Sequence, residues 1–430
     1  MRMLQPDELK LAMGFDADFK LDLPGFSRRQ KIRLMGNGVC PPVMEFIVVF
    51  GKDTWAIWQR KTGSVGSLHF QLGNQKSGQL GNRNRGRHSD GSSRGDRPGM
   101  IDPVTIIMKV WNAQAHVRLC LKTLLQHTDD PFELIIIDNH SRPEVVQFLR
   151  AAARDDSRIR LVENATNVGP GHANRQGVAL AQGRTICLLD SDVLVPPRWL
   201  TRLRAEFESH PAVKLLAPLN YHQTLSHPFG SDNSAAAWFA TKREHPQLAP
   251  LRQFHAFSRG LSIEEFDELM CSTHGRELAA MECPPMFIGA CCVLLDADFV
   301  AAAGGVADPR FDGYGSEDVD LCWRIAEQGG QVARTTAVYV HHFHHASLID
   351  NALDPEAALR QANQVLYAKW KSKLIGLVQA EIARGGSPRD YLGAHFIFQP
   401  LSHHTSFVAD LRAATGRADI PDDIVWKPRP

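Results

Sequence analysis

At 430 residues, 43% of them hydrophobic and 22% charged, the chain has material for one large core or two moderate ones. Its formal net charge of +1 argues against whole-chain attraction to nucleic acid or an anionic membrane, and no specific nucleic acid partner is expected. The eight cysteines include no Cys-x-x-Cys pair, residues 1–20 are too often interrupted by charge to be a signal, and the longest apolar runs, Val43–Phe50 and Met286–Leu295, fall short of a bilayer. These features point to a cytoplasmic protein with reduced thiols, whose membrane contact, if it has any, is peripheral and at the inner face.

Residues 1–58 read as a small ordered segment. Within it, Gln30-Lys-Ile-Arg-Leu-Met-Gly-Asn-Gly-Val-Cys-Pro-Pro-Val-Met44, preceded by Ala12-Met-Gly-Phe15, resembles the C-terminal tail of DNA cytosine-5 methyltransferases, where it implies a segment that helps close the S-adenosylmethionine site. The Pro-Cys nucleophile segment and the Phe-x-Gly-x-Gly loop of that family are missing, so the expectation is a remnant without methyltransferase activity. Residues 59–100 are rich in Gly, Ser, Asn and Arg and cannot bury enough apolar surface to offset their ordering entropy, which predicts a disordered linker.

From Ile101 the pattern alternates. Val104–Val110 reads as a strand, and Val117, Cys120, Leu121, Leu124 and Leu125 recur at helical spacing after it. Glu133–Asp138 is a second strand, followed by a helix opened by Pro143, and Ile159–Val162 is a third. The turn Asn167-Val-Gly-Pro-Gly171 leads to an Ala-rich helix over 173–181, and then to an apolar strand that ends in Asp190-Ser-Asp192. Such β-α-β units predict a mostly parallel sheet with helices on both faces, and ligands then bind beyond the carboxyl ends of its strands. Asn112, Asp138, Asn167, Asp190 and Asp192 all fall on that edge. Residues i and i+2 at a strand end point the same way, so Asp190 and Asp192 converge as hard oxygen donors suited to a divalent cation, and through it to a diphosphate. The turn after the first strand carries no Gly-x-Gly-x-x-Gly, which speaks against NAD bound in the usual manner.

The Asn112 turn, Ile136-Ile-Asp-Asn-His-Ser141, Asn167-Val-Gly-Pro-Gly-His-Ala-Asn174 and Leu189-Asp-Ser-Asp192 resemble the nucleotide-binding half (101–197) of a family 2 glycosyltransferase of the GT-A fold. Phe287–Leu295 and Gly304–Ile325 are similar to the acceptor half of that family, here 220–347 within a domain over 101–350. The resemblance implies a nucleotide-diphosphate sugar donor held by Asn112, Asp138, Asn167, Gly169, Asn174 and Asp190. It also implies a divalent metal, Mn²⁺ or Mg²⁺, on Asp192 and Asp190, and a catalytic base at Asp318 with Glu317 beside it. A histidine of His341-His-Phe-His-His345 would complete the metal shell, His342 in preference to His344; the two share a face if the segment is extended. The implied reaction is an inverting transfer to a sugar or lipid-linked saccharide acceptor, in polysaccharide or glycoconjugate synthesis.

The acidic pair can be read without the resemblance. Ser316 is a good N-cap, and Val319, Cys322, Ile325 and Ala326 make a helical stripe that stops at Gly329-Gly330. Glu317 and Asp318 then sit in the first turn, where the helix dipole is expected to lower their pKa. Between Leu219 and Cys283 no clear period appears; that insertion, with Trp238, His255 and Phe257, is expected to shape the acceptor site. Residues 351–430 read as a helix through Leu366, Trp370 and Leu374 and a loop-rich tail, with no role assigned. Two other classes stay open: a catalytically silent, glycosyltransferase-like binding protein, and a DNA-associated protein acting through residues 1–100.

Overall fold

The computed structural model describes residues 102–222, 227–229, 233–311 and 313–427. The methyltransferase-like segment and the linker lie outside the described residues. The strands and helices expected from periodicity are β1 (Val104–Val110), α1 (Gln114–His127), β2 (Phe132–Asp138), α2 (Pro143–Asp155), β3 (Ile159–Glu163), α3 (Pro170–Leu180) and β4 (Thr185–Asp190). They are followed by β5 (Val193–Leu194), α4 (Trp199–Ser209) and β6 (Val213–Leu219). The stretch without a period folds as three helices, α5 (Ser234–Glu244), α6 (Pro250–Phe257) and α7 (Ile263–His274). Then come β7 (Leu278–Ala280), β8 (Cys292–Asp296), α8 (Ala297–Ala302), α9 (Glu317–Glu327), β9 (Gln331–Tyr339), β10 (His341–His342) and α10 (Ala346–Asp350). The chain closes with α11 (Pro355–Ala383), α12 (Pro388–Ala394), α13 (Phe398–His404) and α14 (Phe407–Thr415).

The fold is α/β, built on a sheet of order β3-β2-β1-β4-β8-β6-β9-β7. β3, β2, β1 and β4 run parallel, as do β6 and β9, while β8 is antiparallel to both β4 and β6 and β7 is antiparallel to β9. The β1–β4 register pairs Lys109 with Asp190, and the β1–β2 register pairs Val110 with Asp138, so the carboxyl ends of the strands form one continuous edge.

Alternation along each strand divides the core. Ile106, Met108, Cys187 and Leu189 face a layer containing Val117, Leu121, Leu149, Trp199 and Leu203. Ile107, Ile186 and Leu188 face the opposite layer, with Trp323, Ile325 and Leu321 of α9. Burial on both faces is why these strands read as nearly unbroken apolar runs. The C-terminal segment belongs to this second layer: Leu366, Trp370, Leu374 and Val378 of α11, with Phe398, Leu401, Phe407 and Leu411 behind them, share its cluster. α9 is therefore covered on two sides, and Asp320, Leu321 and Trp323 are buried along with the expected Val319, Cys322 and Ile325. A third cluster joins the inserted helices to the end of β9, with Trp238, Phe254, Phe257, Phe266, Tyr339 and Phe343 packed together. Trp238 and Phe257, expected to shape an acceptor site, are instead core residues, whereas Phe239 is 40% exposed. Among the described residues no helix is long and apolar enough to cross a membrane.

Candidate functional site

β4 delivers Asp190 to the sheet edge, and the chain then makes the two-residue strand β5. β5 pairs antiparallel with β10, His342 opposite Val193 and His341 opposite Leu194. The amide of Phe343 donates to the Asp192 carbonyl at 2.9 Å and closes this short ribbon. The pairing brings a residue distant in sequence against the Asp-x-Asp. His342 Nε2 lies 3.2 Å from Asp192 Oδ1 and 3.6 Å from Asp190 Oδ2. One donor atom from each of Asp190, Asp192 and His342 falls within 4.8 Å of the others. Two carboxylate oxygens and one imidazole nitrogen at this separation fit a divalent cation such as Mn²⁺ or Mg²⁺.

His344 is not in this set. The segment is not extended there: His344 and His345 both take left-handed backbone, with φ 61° and 62°, which ends the alternation assumed from sequence. The His344 ring stacks on His345 at 3.5 Å and meets His222 edge-on at 4.5 Å. Burial first, and then His222 and His342, hold it far below its usual range and so uncharged.

Burial by itself would raise Asp192, but the His342 imidazole, His116 and the Ala346 amide, 3.3 Å from Oδ2, outweigh it and hold the carboxyl well below the ordinary range. For His342, burial works against the charged form and Asp192 more than compensates, so the ring is pushed well above 6.5. Lys109 pairs with Asp190 through Oδ1, as their shared register dictates, and leaves Oδ2 toward His342. Burial opposes the Lys109 charge, yet Asp190, Glu317 and Asp192 together raise its pKa.

Glu317 and Asp318 open α9, as expected, but two local expectations fail. Ser316 does not cap the helix: its φ is 64°, its side chain accepts no bond from the first turn, and its hydroxyl donates to Asn363 Oδ1 at 2.9 Å. The pKa values also move upward. Burial, then the Asp318 charge, raises Glu317 from 4.5 to about 7. Burial raises Asp318 too, against hydrogen bonds from the amides of Val319 at 2.8 Å and Ala290 at 3.4 Å. Desolvation and like charge outweigh the dipole because the turn is packed under neighbouring elements. A Cβ on Gly171, at the start of α3, would lie 3.1 Å from the Phe311 carbonyl and 3.9 Å from Glu317 Cβ. One Glu317 oxygen, Oε2, is buried without a hydrogen-bond partner.

The residues expected to hold a donor are more scattered in behaviour. Asp138 Oδ2 accepts from the Ser141 amide at 3.2 Å, and Oδ1 is buried and unpartnered. Asp138 lines a 290 Å³ cavity with His140, Ser141, Gln147, Arg150 and Glu163. Asn174 is buried, its Oδ1 also without a partner. Asn112 is occupied structurally: its Oδ1 accepts from the Arg142 amide at 2.7 Å and its Nδ2 donates to Asn351 Oδ1 at 2.6 Å. Asn167 is exposed, and its Oδ1 accepts from the Gly169 amide at 2.9 Å, which shapes the turn before α3 where Gly169 has φ 79°.

Sequence reasoning missed Lys109, Tyr314 and His116. Lys109 had a signal, a lone cation near the end of an otherwise apolar strand. Tyr314 had none; its hydroxyl is driven far above 10.0 by burial and by Asp190 and Glu317 nearby.

Residues 105–258 match the family described as Glycosyl transferase family 2. An uncharacterized glycosyltransferase of Haemophilus influenzae is 34% identical over 89 residues, 21% of this chain and 36% of the relative. The putative glycosyltransferase EpsH of Bacillus subtilis is 27% identical over 100 residues, 23% and 29% of the two chains. The succinoglycan biosynthesis protein ExoO of Rhizobium meliloti is 30% identical over 103 residues, 24% and 29%. The chain thus spans about a third of the length of the curated relatives it matches. Among solved structures, the mannosyltransferase PcManGT of Pyrobaculum calidifontis, in complex with GDP-Man and Mn²⁺, has a TM-score of 0.40 at 17% identity and covers 74% of this chain and 73% of its own.

Proposed function

We propose that this protein is a metal-dependent, inverting glycosyltransferase that moves a sugar from a nucleotide-diphosphate donor to an acceptor hydroxyl, in polysaccharide or glycoconjugate synthesis. The observation that carries the reading is the convergence of Asp190, Asp192 and His342 at the sheet edge, in a matched glycosyltransferase domain. A divalent cation held there would offset the negative charge that develops on the leaving diphosphate.

The chain's own residues supply the rest. Asp138 and Asn174, each with a buried unpartnered oxygen, are suited to accept hydrogen bonds from the nucleoside. Lys109 neutralises Asp190 on the side away from His342, so the edge does not repel a diphosphate with its full acidic charge. Asp318, its oxygens aimed by the Val319 and Ala290 amides, takes the proton of the acceptor hydroxyl as the new bond forms at the anomeric carbon. Its upward-shifted pKa suits that task better than an ordinary exposed carboxylate would. One displacement with one base inverts the anomeric centre, because the acceptor enters opposite the leaving diphosphate.

The test is a panel of nucleotide sugars with Mn²⁺ or Mg²⁺, and proton NMR of the first-formed product. Turnover of one donor with inverted anomeric configuration is expected; a retained configuration contradicts the single-base mechanism.

A further inference from the structure

The long helix α11 meets the turn that presents Glu317 and Asp318 at two points. At the first, Ser316 Oγ donates to the buried Asn363 at 2.9 Å. The preceding Gly315 has φ +101°, and a Cβ there would stand 2.6 Å from Leu359 Cδ2, so α11 presses directly on this backbone. At the second, Asp320, fully buried, accepts from Trp370 Nε1 at 2.8 Å and from Lys369 Nζ at 2.6 Å, both on α11. Its other oxygen accepts from Arg324 Nε at 2.7 Å. The Trp370 ring meets Trp323 edge-on at 5.3 Å, and Lys369 also reaches Asp308 at 2.7 Å.

Glu317 and Asp318 lie between these anchors, since Ser316 and Asp320 are one helical turn apart. The contacts on α11, at 359–363 and 369–370, recur along one face of that helix. A buried carboxylate persists only with its charge compensated and its lone pairs filled, and here two of the three donors come from α11. A fully buried Asp on α9, answered by a Lys and a Trp nitrogen, fixes rotation and height as well as contact.

We propose that α11 is a positioning element for the base Asp318, acting through Asp320, Lys369 and Trp370 at one end and Asn363 with Ser316 at the other. This rests on the glycosyltransferase reading of the site. These α11 residues meet Ser316 and Asp320 and act through the geometry of the first turn of α9.

Trp370→Phe removes the Nε1 donor and keeps the ring, and Ser316→Ala removes the other anchor with little loss of packing. On the full-length protein, each is expected to lower kcat about tenfold at an unchanged donor KM, because displacement of a base by a fraction of an ångström is felt in the transition state and not in donor binding. Asp320→Asn, which leaves shape and loses charge, is expected to do the same. Hydrogen exchange of the 313–320 amides is measured on the same proteins, and it is expected to quicken about tenfold in Trp370→Phe while the amides of β1 and β4 stay as in the parent. That readout needs no turnover: if the parent turns over no donor, the glycosyltransferase reading fails, and exchange still reports whether α11 holds the turn. Unchanged kcat in an active parent background, or unchanged exchange at 313–320 in Trp370→Phe and Ser316→Ala, overturns the proposal. A uniform rise in exchange across the sheet also overturns it, because the contacts would then be serving only the core.

Discussion

Of the acidic pairs in this molecule, Asp190/Asp192 at the end of β4 and Glu317/Asp318 at the start of α9 make up the candidate site, and Asp192 is treated in the opposite way to Glu317 and Asp318. Asp192 is buried, yet His342, His116 and the Ala346 amide hold its carboxyl below the ordinary range. Glu317 and Asp318 are partly buried without enough positive charge to answer them, and both are raised. The difference teaches that burial alone does not set the role of a carboxylate; what faces it does. On the proposed reading, Asp192 stays charged to hold a cation with Asp190 and His342, and Glu317 and Asp318 share and take protons.

Removing either half of that contrast should break the activity in a different place. Asp192→Ala, the largest effect, is expected to lower kcat/KM by about a thousandfold and to abolish metal-dependent donor binding, read by donor hydrolysis with Mn²⁺ and with chelator. Asp318→Asn is expected to cut kcat by about a hundredfold or more while donor affinity holds, which steady-state kinetics beside direct binding would separate. A loss of donor affinity equal to that of Asp192→Ala would erase the distinction between the pairs.

The histidines sharpen the first half. His342→Gln is expected to weaken Mn²⁺ binding by about ten- to a hundredfold, as removal of a ligand or of its immediate support does, and His344→Gln to leave it within about twofold. Metal titration of both variants decides between the residues.

The smallest effect is on stability and concerns the second pair. Burial, then Asp318, raises Glu317 from 4.5 to about 7 in the folded protein. A carboxyl whose folded pKa is raised contributes stability that is complete below its unfolded pKa and is lost as pH rises through the folded one. The metal-free protein should therefore lose stability between those two values. Glu317→Gln, which cannot ionise, is expected to be ~1–2 kcal/mol more stable than the parent near pH 8 and indistinguishable from it near pH 4 in urea unfolding. A destabilised Glu317→Gln at the higher pH would mean the carboxylate is better compensated than its neighbours suggest.

Much of this site was legible in the chain because the signals were local. Alternating periods gave the strands, and the Asp-x-Asp closing an apolar run marked the edge where β4 ends. The choice between His342 and His344 was not local: it depends on β10 pairing with β5, and on left-handed backbone at His344. Ser316 had the right residue type for a cap, but its backbone is left-handed and its hydroxyl turns to donate to Asn363, 47 positions away. The upward shifts of Glu317 and Asp318 went unseen for the same reason, since the dipole acts within one helix while desolvation comes from the elements packed over it. Asn112 reads as a ligand residue from its place after β1, and the Arg142 amide and Asn351 that occupy it lie far off in sequence.

The central claim is that the β4 edge holds a cation that a nucleotide diphosphate needs. The most direct test is calorimetric titration of a panel of nucleotide sugars into the full-length protein, with Mn²⁺ and with chelator, for the parent and Asp192→Ala. At least one donor is expected to bind in a manner that requires metal and vanishes in Asp192→Ala. Donor binding that is equally tight in chelator, or undiminished by Asp192→Ala, would contradict it.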